Sequence, residues 1–200
     1  SIVVDNADAT TLWKKALSFL ESRLKLPVWE PMWDLPVLIV GSKALREQMR
    51  EQHSIHASSA VPTTQGLCLV ERGRNGTSSD FGGGASASVL GILCLTGLPR
   101  DLTACILAHE AAHAWLRLHP KYDCTLPTLV EECLTQLIAM LFLSDGLETP
   151  SKVSDDGPSD EKLRQYFKFT VEREMNEICG TGYRRAAQAY RDIGMDALVN

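Results

Sequence analysis

Two histidines and a glutamate occur at a spacing that could support metal binding and catalysis. They lie in the segment His109-Glu110-Ala111-Ala112-His113. On an α-helix, residues four apart lie one turn apart on nearly the same face, so both imidazoles could bind one metal ion. Glu110 would point to the side of that pair, where it could hold and deprotonate a water molecule at the metal. This spacing is the H-E-x-x-H signature of zinc peptidases.

The helix predicted around this motif is apolar. It would run over residues 99–118, with Pro99 in its first turn and Asp101 or Thr103 as its N-terminal cap. The alternative interpretation is an amphipathic helix that carries two histidines on a polar face. Two histidines and a glutamate would be costly to bury in so apolar a helix without partners, and a metal ion would supply the partner.

A zinc ion that catalyses a reaction needs three protein ligands and one open position. A second apolar helix is predicted over residues 126–143, and it carries two adjacent acids, Glu131 and Glu132. Eighteen residues separate His113 from Glu132, which resembles the spacing of gluzincin peptidases, so Glu132 is the predicted third ligand. Glu131 lies about 100° round the helix and is predicted to face either solvent or the residues behind the ligands. Gln136, one turn after Glu132, could orient the ligands.

His119 is the alternative third ligand. It follows His113 by six residues, the offset of the metzincin motif H-E-x-x-H-x-x-G-x-x-H, but Leu116 occupies the position of the motif's glycine. Six residues of helix turn about 600°, which leaves His119 about 120° from the metal-facing side. Without a glycine the helix has no easy break, and Pro120 indicates that it ends at His119. The sequence therefore favours Glu132.

Composition predicts a single globular domain over residues 1–200, with 44% apolar and 22% charged residues. The net charge of −5 and the lack of a basic-aromatic patch argue against nucleic-acid binding. No apolar run reaches 18 residues, so no membrane contact is predicted. The six cysteines contain no C-x-x-C pair, and those at 94, 105 and 133 are predicted to be buried free thiols. Free thiols favour a reducing compartment, the cytoplasm with the nucleus as an alternative.

The predicted elements make an α+β fold in which a small sheet packs on the helices that carry the ligands. Helices are predicted over 5–24, 42–52, 99–118, 126–143, 161–178 and 183–193, and strands over 35–40, 66–71 and 88–96. The residues Gly180-Thr-Gly182 are predicted to interrupt helical structure between the last two helices. The glycine-rich stretch 72–86 and the acidic stretch 145–160 are predicted to be flexible loops.

Several longer motifs occur in order along the chain. They are Gln65-Gly-Leu-Cys-Leu69, Leu95-Thr-Gly-Leu-Pro-Arg100, Ile106-Leu-Ala-His-Glu-Ala-Ala-His-Ala-Trp-Leu-Arg117, Val130-Glu-Glu132 and Gly180-Thr-Gly-Tyr-Arg184. Together they resemble the C-terminal peptidase domain of the plant DA-one family. Members of that family are LIM-domain, ubiquitin-activated zinc peptidases that limit organ growth. The likeness covers roughly residues 35–197.

The resemblance implies a zincin-like fold of the gluzincin type and an endopeptidase that uses Zn²⁺. It implies limited cleavage of ubiquitin-pathway and growth-regulatory proteins, with ubiquitin or ubiquitin-pathway enzymes as partners. The family's ligands map onto His109, His113 and Glu132, and its general base maps onto Glu110. Departures from the family pattern occur at positions 111 and 112, usually bulkier, and at Cys133, usually glycine. None of them removes a catalytic group.

Two further features of the reaction are left open by the motifs. Tyr183, 51 residues after Glu132, is a candidate oxyanion donor, and the alternative is a packed aromatic residue after a turn. An extended substrate would pair with an exposed strand edge beside the metal helix, for which residues 66–71 are one candidate.

Two other functions compete with that of a protein-cleaving enzyme. One is a non-catalytic protein-binding module with a peptidase fold, and the other is a zinc hydrolase of small amides or peptides. The intact Glu110 argues against the binding module, since a structural zinc ion does not need that residue and is usually closed by a fourth protein ligand.

Overall fold

The computed structural model describes residues 1–53, 65–71, 88–119, 126–147, 160–173 and 177–199. Within these residues the helices are α1 (Asn6–Ser22), α2 (Glu30–Trp33), α3 (Ser42–His53), α4 (Arg100–Leu118), α5 (Thr128–Leu141), α6 (Asp160–Arg173) and α7 (Tyr183–Val199). The strands are β1 (Ile2–Val3), β2 (Val37–Val40), β3 (Gly66–Glu71), β4 (Ser88–Leu95) and β5 (Leu98–Pro99). Two π-helical turns, Phe142–Gly146 and Glu177–Gly182, follow α5 and precede α7. The α+β class is confirmed.

Helix α1 forms one wall of the core. Its N-terminal cap is Asp5, whose Oδ1 accepts a hydrogen bond from the backbone N–H of Asp8 at 2.8 Å. Its apolar face is buried against α4 and the sheet, and the indole N–H of Trp13 donates to the backbone oxygen of Met32 at 2.9 Å. Because the buried indole has this partner, it can occupy the core without an unsatisfied donor.

The central sheet has the strand order β2-β4-β3. Strand β2 runs parallel to β4, and β3 runs antiparallel to it, with Gly66 opposite Cys94. Side chains alternate, so one face of the sheet packs against α1 and α4 and the other against α3. Within the described part of the chain β3 is an edge strand. The antiparallel pair β1-β5 was not predicted, because each of its strands is only two residues long.

Helix α4 begins differently from the prediction. No side chain caps its first turn, so the predicted cap at Asp101 or Thr103 is wrong. The carboxylate of Asp101 instead lies inside the protein, where its Oδ2 is 2.9 Å from Nη2 and 3.0 Å from Nε of Arg164 in α6. Thr103 is fully buried, and its hydroxyl has no hydrogen-bond partner among the described residues. Both side chains are directed into the packing between helices, away from the free backbone N–H groups of the first turn.

The C-terminal part of the chain corrects a second prediction. Residues 180–182 do not interrupt helical structure, since the π-helical turn Glu177–Gly182 runs directly into α7. The bend comes at Gly194, where φ is 79° and ψ is 171°, a conformation that favours glycine. The predicted loop 72–86 lies outside the described residues, as do residues 148–159 of the predicted loop 145–160.

The described cysteines Cys68, Cys94, Cys105 and Cys133 are free thiols, and all but Cys133 are buried. Burial raises the pKa of Cys94 and of Cys105 to about 12, so these thiols are protonated at neutral pH. Among the described residues, no helix combines the length and the apolar character needed to cross a membrane.

Candidate metal centre

Helices α4 and α5 bring His109, His113 and Glu132 together. Nε2 of His109 lies 3.1 Å from Nε2 of His113. The Glu132 carboxylate faces both rings, with Oε2 3.5 Å from Nε2 of His109 and Oε1 3.6 Å from Nε2 of His113. One donor atom from each residue can be chosen so that all three lie within 4.8 Å of one another. The three ligands expected from the sequence therefore form one cluster.

The separations within the cluster fit a tetrahedral metal ion. Zinc binds histidine nitrogen at about 2.0–2.1 Å and carboxylate oxygen at about 2.0–2.2 Å, which places tetrahedral donors about 3.3–3.6 Å apart. The two Nε2 atoms are 3.1 Å apart, and they lie 3.5 and 3.6 Å from different oxygens of the Glu132 carboxylate, so these separations are close to the tetrahedral values. For one donor atom from each residue, all three atoms lie within 4.8 Å of one another. Two imidazoles with one carboxylate are also the donor set of several catalytic zinc sites, in which a fourth position stays open. The residues present therefore suit such an ion.

Glu132 is suited electrostatically to bind a cation. Burial on its own raises the pKa of Glu132, but a hydrogen bond with His109 and the charges of the two histidines outweigh that effect. The pKa is therefore held below its ordinary value. Glu132 is an anion at neutral pH even before any metal ion contributes.

Glu110 lies beside the cluster and is only 6% exposed. Burial raises the pKa of its carboxyl group above the ordinary value, although the charges of His109 and His113 oppose the rise. The backbone of Cys68 in β3 gives it a hydrogen bond. Glu110 thus places a carboxyl group between the edge strand and the metal ligands, where a proton acceptor for a hydrolytic water would be required.

Glu131 lies behind the cluster and is buried, which matches one of the two positions predicted for it. Its Oε1 is 2.8 Å from Nδ1 of His113. Nη2 of Arg117 donates to Oε1 and Oε2 of the same carboxylate at 2.7 and 2.9 Å. Burial on its own lowers the pKa of His113, but the Glu131 hydrogen bond and the charges of Glu110, Glu132 and Glu131 raise it above the ordinary value.

Thr135 contacts the ligands from α5. Its Oγ1 lies 3.4 Å from Nε2 of His109 and donates to the backbone oxygen of Glu132 at 3.0 Å. Helical spacing predicted that Gln136 would orient the ligands, but no hydrogen bond joins Gln136 to a ligand within the described part of the chain. Thr135 is three residues after Glu132, so helical spacing could have identified it.

His119 and Tyr183 are placed in other surroundings. The His119 ring packs on Trp29 and Trp115, with ring centroids 5.3 and 4.7 Å apart, and His119 is not in the ligand cluster. Tyr183 packs against the cluster that contains Met140 and Leu143, near the end of α5 remote from Glu132. These contacts favour the packed interpretation of Tyr183, and its part as oxyanion donor stays a prediction.

Comparison with known proteins identifies the family to which this chain belongs. The model of the DA1-like family, described as Protein DA1, matches residues 82–200, a range that contains the ligand cluster and Glu110. The chain belongs to the DA1-like family. This confirms the resemblance to the DA-one family that the motifs predict. No solved structure matches the chain significantly, so the zincin-like description of the fold stays part of the proposal.

Individual DA1-like relatives match nearly the whole chain. It is 30% identical to Protein DA1 of Arabidopsis thaliana, over 98% of this chain and 41% of that protein. It is also 30% identical to Protein DA1-related 1 of Arabidopsis thaliana, over 98% of this chain and 40% of that protein. Identity to the LIM domain-containing protein HDR3 of Oryza sativa subsp. japonica is 27%, over 100% of this chain and 46% of that protein. The chain thus spans less than half the length of these relatives.

Proposed function

We propose that this DA1-like chain is a zinc-dependent endopeptidase of the gluzincin type that hydrolyses peptide bonds in protein substrates. The observation that carries the proposal is the cluster of His109, His113 and Glu132, whose donor atoms lie within 4.8 Å of one another beside the buried Glu110. Two imidazoles and a carboxylate beside a buried carboxyl group can hold zinc with a fourth position open for water, and this arrangement can hydrolyse an amide.

The proposed metal ligands are Nε2 of His109, Nε2 of His113 and a carboxylate oxygen of Glu132. Bound zinc would act as a Lewis acid that polarises the scissile carbonyl group and lowers the pKa of water. The histidines come from one turn of α4 and the glutamate from α5, so the packing of these two helices sets the ligand geometry. Thr135 would support the first turns of α5 through its hydrogen bond to the backbone oxygen of Glu132.

Glu110 would act as the general base and then as the general acid. It would take a proton from the attacking water and deliver it to the leaving amine. Its raised pKa makes the carboxylate a stronger base toward water than an ordinary glutamate, and a pKa nearer the working pH allows the same group to hold the proton until the amine leaves. The hydrogen bond from the Cys68 backbone would hold the carboxyl group at the edge of β3.

Strand β3 would bind the substrate in extended form. The backbone N–H of Leu95 donates to the oxygen of Gln65 at 2.8 Å, so alternation directs the backbone polar groups of Leu67 and Leu69 toward β4. Those of Gly66 and Cys68 face outward; the Cys68 backbone gives its hydrogen bond to Glu110, which leaves the backbone groups of Gly66 as the contact for a substrate. A substrate strand paired with this edge would run past the ligand cluster.

The family resemblance supplies the biological part of the proposal. We infer limited cleavage of ubiquitin-pathway and growth-regulatory proteins, with ubiquitin or ubiquitin-pathway enzymes as partners, in the cytoplasm or the nucleus. These substrates and partners rest on the resemblance alone. Protein cleavage itself rests on the ligand cluster and on Glu110.

Metal content and cleavage, measured on the same preparations, test the proposal. We expect about one zinc ion per chain in the wild type and in Glu110→Gln, and far less in Glu132→Ala. Only the wild type should cleave an unfolded protein substrate, with activity lost in chelator and restored by zinc. A folded wild type that takes up no zinc would overturn the proposal and favour the non-catalytic binding module. Turnover of small amides without protein cleavage would favour the small-amide hydrolase.

A further inference from the structure

We propose that Arg117 is a positioning residue of the metal centre and acts on His113 through Glu131. The inference rests on the proposed function in one respect, the binding of metal through Nε2 of His113. Three contacts connect the residues in series. Arg117 donates to both carboxylate oxygens of Glu131 at 2.7 and 2.9 Å, Glu131 is 2.8 Å from Nδ1 of His113, and Nε2 of His113 faces the other ligands.

Helix geometry explains how these residues meet. Arg117 follows His113 by four residues, so both lie on one side of α4, one turn apart. Glu131 immediately precedes Glu132 in α5, and neighbouring residues point about 100° apart round a helix. Glu132 therefore faces the ligand cluster, whereas Glu131 passes behind the His113 ring and reaches Arg117. Each helix supplies both metal-facing and supporting residues.

Burial explains why Glu131 needs Arg117. The Glu131 side chain is 8% exposed and that of Arg117 is 27% exposed. A carboxylate removed from water to this extent is costly unless a cation and hydrogen bonds compensate it. Arg117 compensates it with two contacts, which leaves the carboxylate available to accept a hydrogen bond from His113.

The hydrogen bond determines which nitrogen of His113 is free. An ionised carboxylate only accepts hydrogen bonds, so Nδ1 of His113 must be the donor in this contact. In the neutral ring Nε2 then has no hydrogen, and its lone pair faces His109 and Glu132. A metal ligand held in one tautomer and one orientation binds more tightly than a ring that rotates freely. The Arg117–Glu131 pair would therefore raise metal affinity without touching the metal.

A purely structural clamp between α4 and α5 is the competing explanation for the pair. A clamp would contribute to the free energy of unfolding and leave the His113 ring unaffected. The two explanations differ in the tautomer of His113 and in metal affinity, both of which can be measured without any peptidase assay.

The experiment uses four variants of the full chain. Arg117→Met removes the guanidinium, Glu131→Ala removes the acceptor, and Glu131→Gln keeps an acceptor oxygen for His113. Arg100→Gln is the matched control, because Arg100 lies on the same helix, is remote from the ligands in sequence and forms a partly exposed ion pair with Asp8 at 3.6 Å. Zinc dissociation constants come from competition with a chelator, and the His113 tautomer comes from ¹⁵N NMR of the metal-free protein at a pH high enough to leave the ring neutral.

Glu131→Ala should weaken zinc binding by roughly 10–100-fold, and Arg117→Met by on the order of 10-fold. Glu131→Gln should lie closer to the wild type than Glu131→Ala, because its amide oxygen still accepts from Nδ1. Wild-type His113 should carry its hydrogen on Nδ1, and Glu131→Ala should populate both tautomers. Arg100→Gln should change neither quantity.

Wild-type zinc affinity and an unchanged His113 tautomer in folded Arg117→Met and Glu131→Ala would overturn the inference and leave the clamp. The proposed function can fail separately. A wild type that binds zinc but cleaves no protein would contradict the proposed peptidase function. The zinc affinities of the variants would still test the positioning role of Arg117. If the wild type binds no zinc, the His113 tautomer measured in the metal-free variants still decides whether Arg117 and Glu131 orient the ring.

Discussion

Gly66 of β3 lies directly against Glu110 of α4. A Cβ atom built on Gly66 would lie 2.6 Å from Oε1 of Glu110 and 2.5 Å from Cγ2 of Ile106. Both separations are too short for van der Waals contact, so any larger residue must displace one of these side chains or the strand itself. The strand proposed to bind the substrate therefore also limits where the proposed general base can lie.

Gly66→Ala should reduce cleavage by on the order of 100-fold, because a displacement of about 1 Å is enough to misplace a catalytic group. Zinc content should stay near the wild-type value, since the atoms nearest to the added Cβ belong to Ile106 and Glu110, neither of which is a proposed ligand. Gly41→Ala is the control, because nothing lies within 4 Å of a Cβ atom there. Steady-state kinetics on both variants test this. A fully active Gly66→Ala enzyme would show that Glu110 does not need its present position.

Glu110→Gln should abolish cleavage, retain zinc and stabilise the metal-free protein at neutral pH. Burial raises the folded-state pKa of Glu110, so ionisation of this carboxyl group costs folding free energy that the neutral amide avoids. The wild type should lose stability relative to the variant as pH rises through that folded-state pKa, and the difference should vanish below the unfolded-state pKa.

Thermal denaturation in chelator between about pH 5 and pH 8 measures the effect of Glu110→Gln on stability. A variant that becomes progressively less stable than the wild type toward pH 8 would contradict the raised pKa. Retained turnover would contradict the general-base assignment, whichever way stability changes.

Glu132→Ala should weaken zinc binding by more than about 100-fold, whereas His119→Ala should leave it nearly unchanged. Glu132 faces both ligand histidines, and the His119 ring packs on Trp29 and Trp115. Loss of that packing should appear as a lower melting temperature of His119→Ala. Chelator competition measures the affinities, and the reverse order would favour a metzincin-type site.

Arg164→Met should destabilise the protein by about 3–5 kcal/mol, because it leaves the Asp101 carboxylate buried without its cation. The side chains of Arg164 and Asp101 are 8% and 7% exposed, and their charged groups are 2.9 Å apart. Arg100→Gln, which removes an exposed pair, should cost less than about 1 kcal/mol. Urea denaturation gives both values. Equal costs would show that burial of the Arg164 pair does not matter.

The sequence by itself determined the local part of the candidate site. His109 and His113 are one helical turn apart, and that spacing alone predicts that their imidazoles share a face. The three strands of the central sheet were also predicted from local patterns of apolar residues. Helical spacing and side-chain alternation depend on residues only a few positions apart, so they can be identified without knowing how the elements pack.

Only the tertiary structure decided which groups surround the ligands. Glu131 and Glu132 are adjacent, and the rotation of α5 against α4 directs one behind His113 and the other toward the ligand cluster. The same rotation placed Thr135, instead of Gln136, beside His109. Asp101 was predicted as a cap, but its partner Arg164 is 63 positions away. Contacts of this kind depend on the distance and rotation between packed elements, which helical periodicity does not specify.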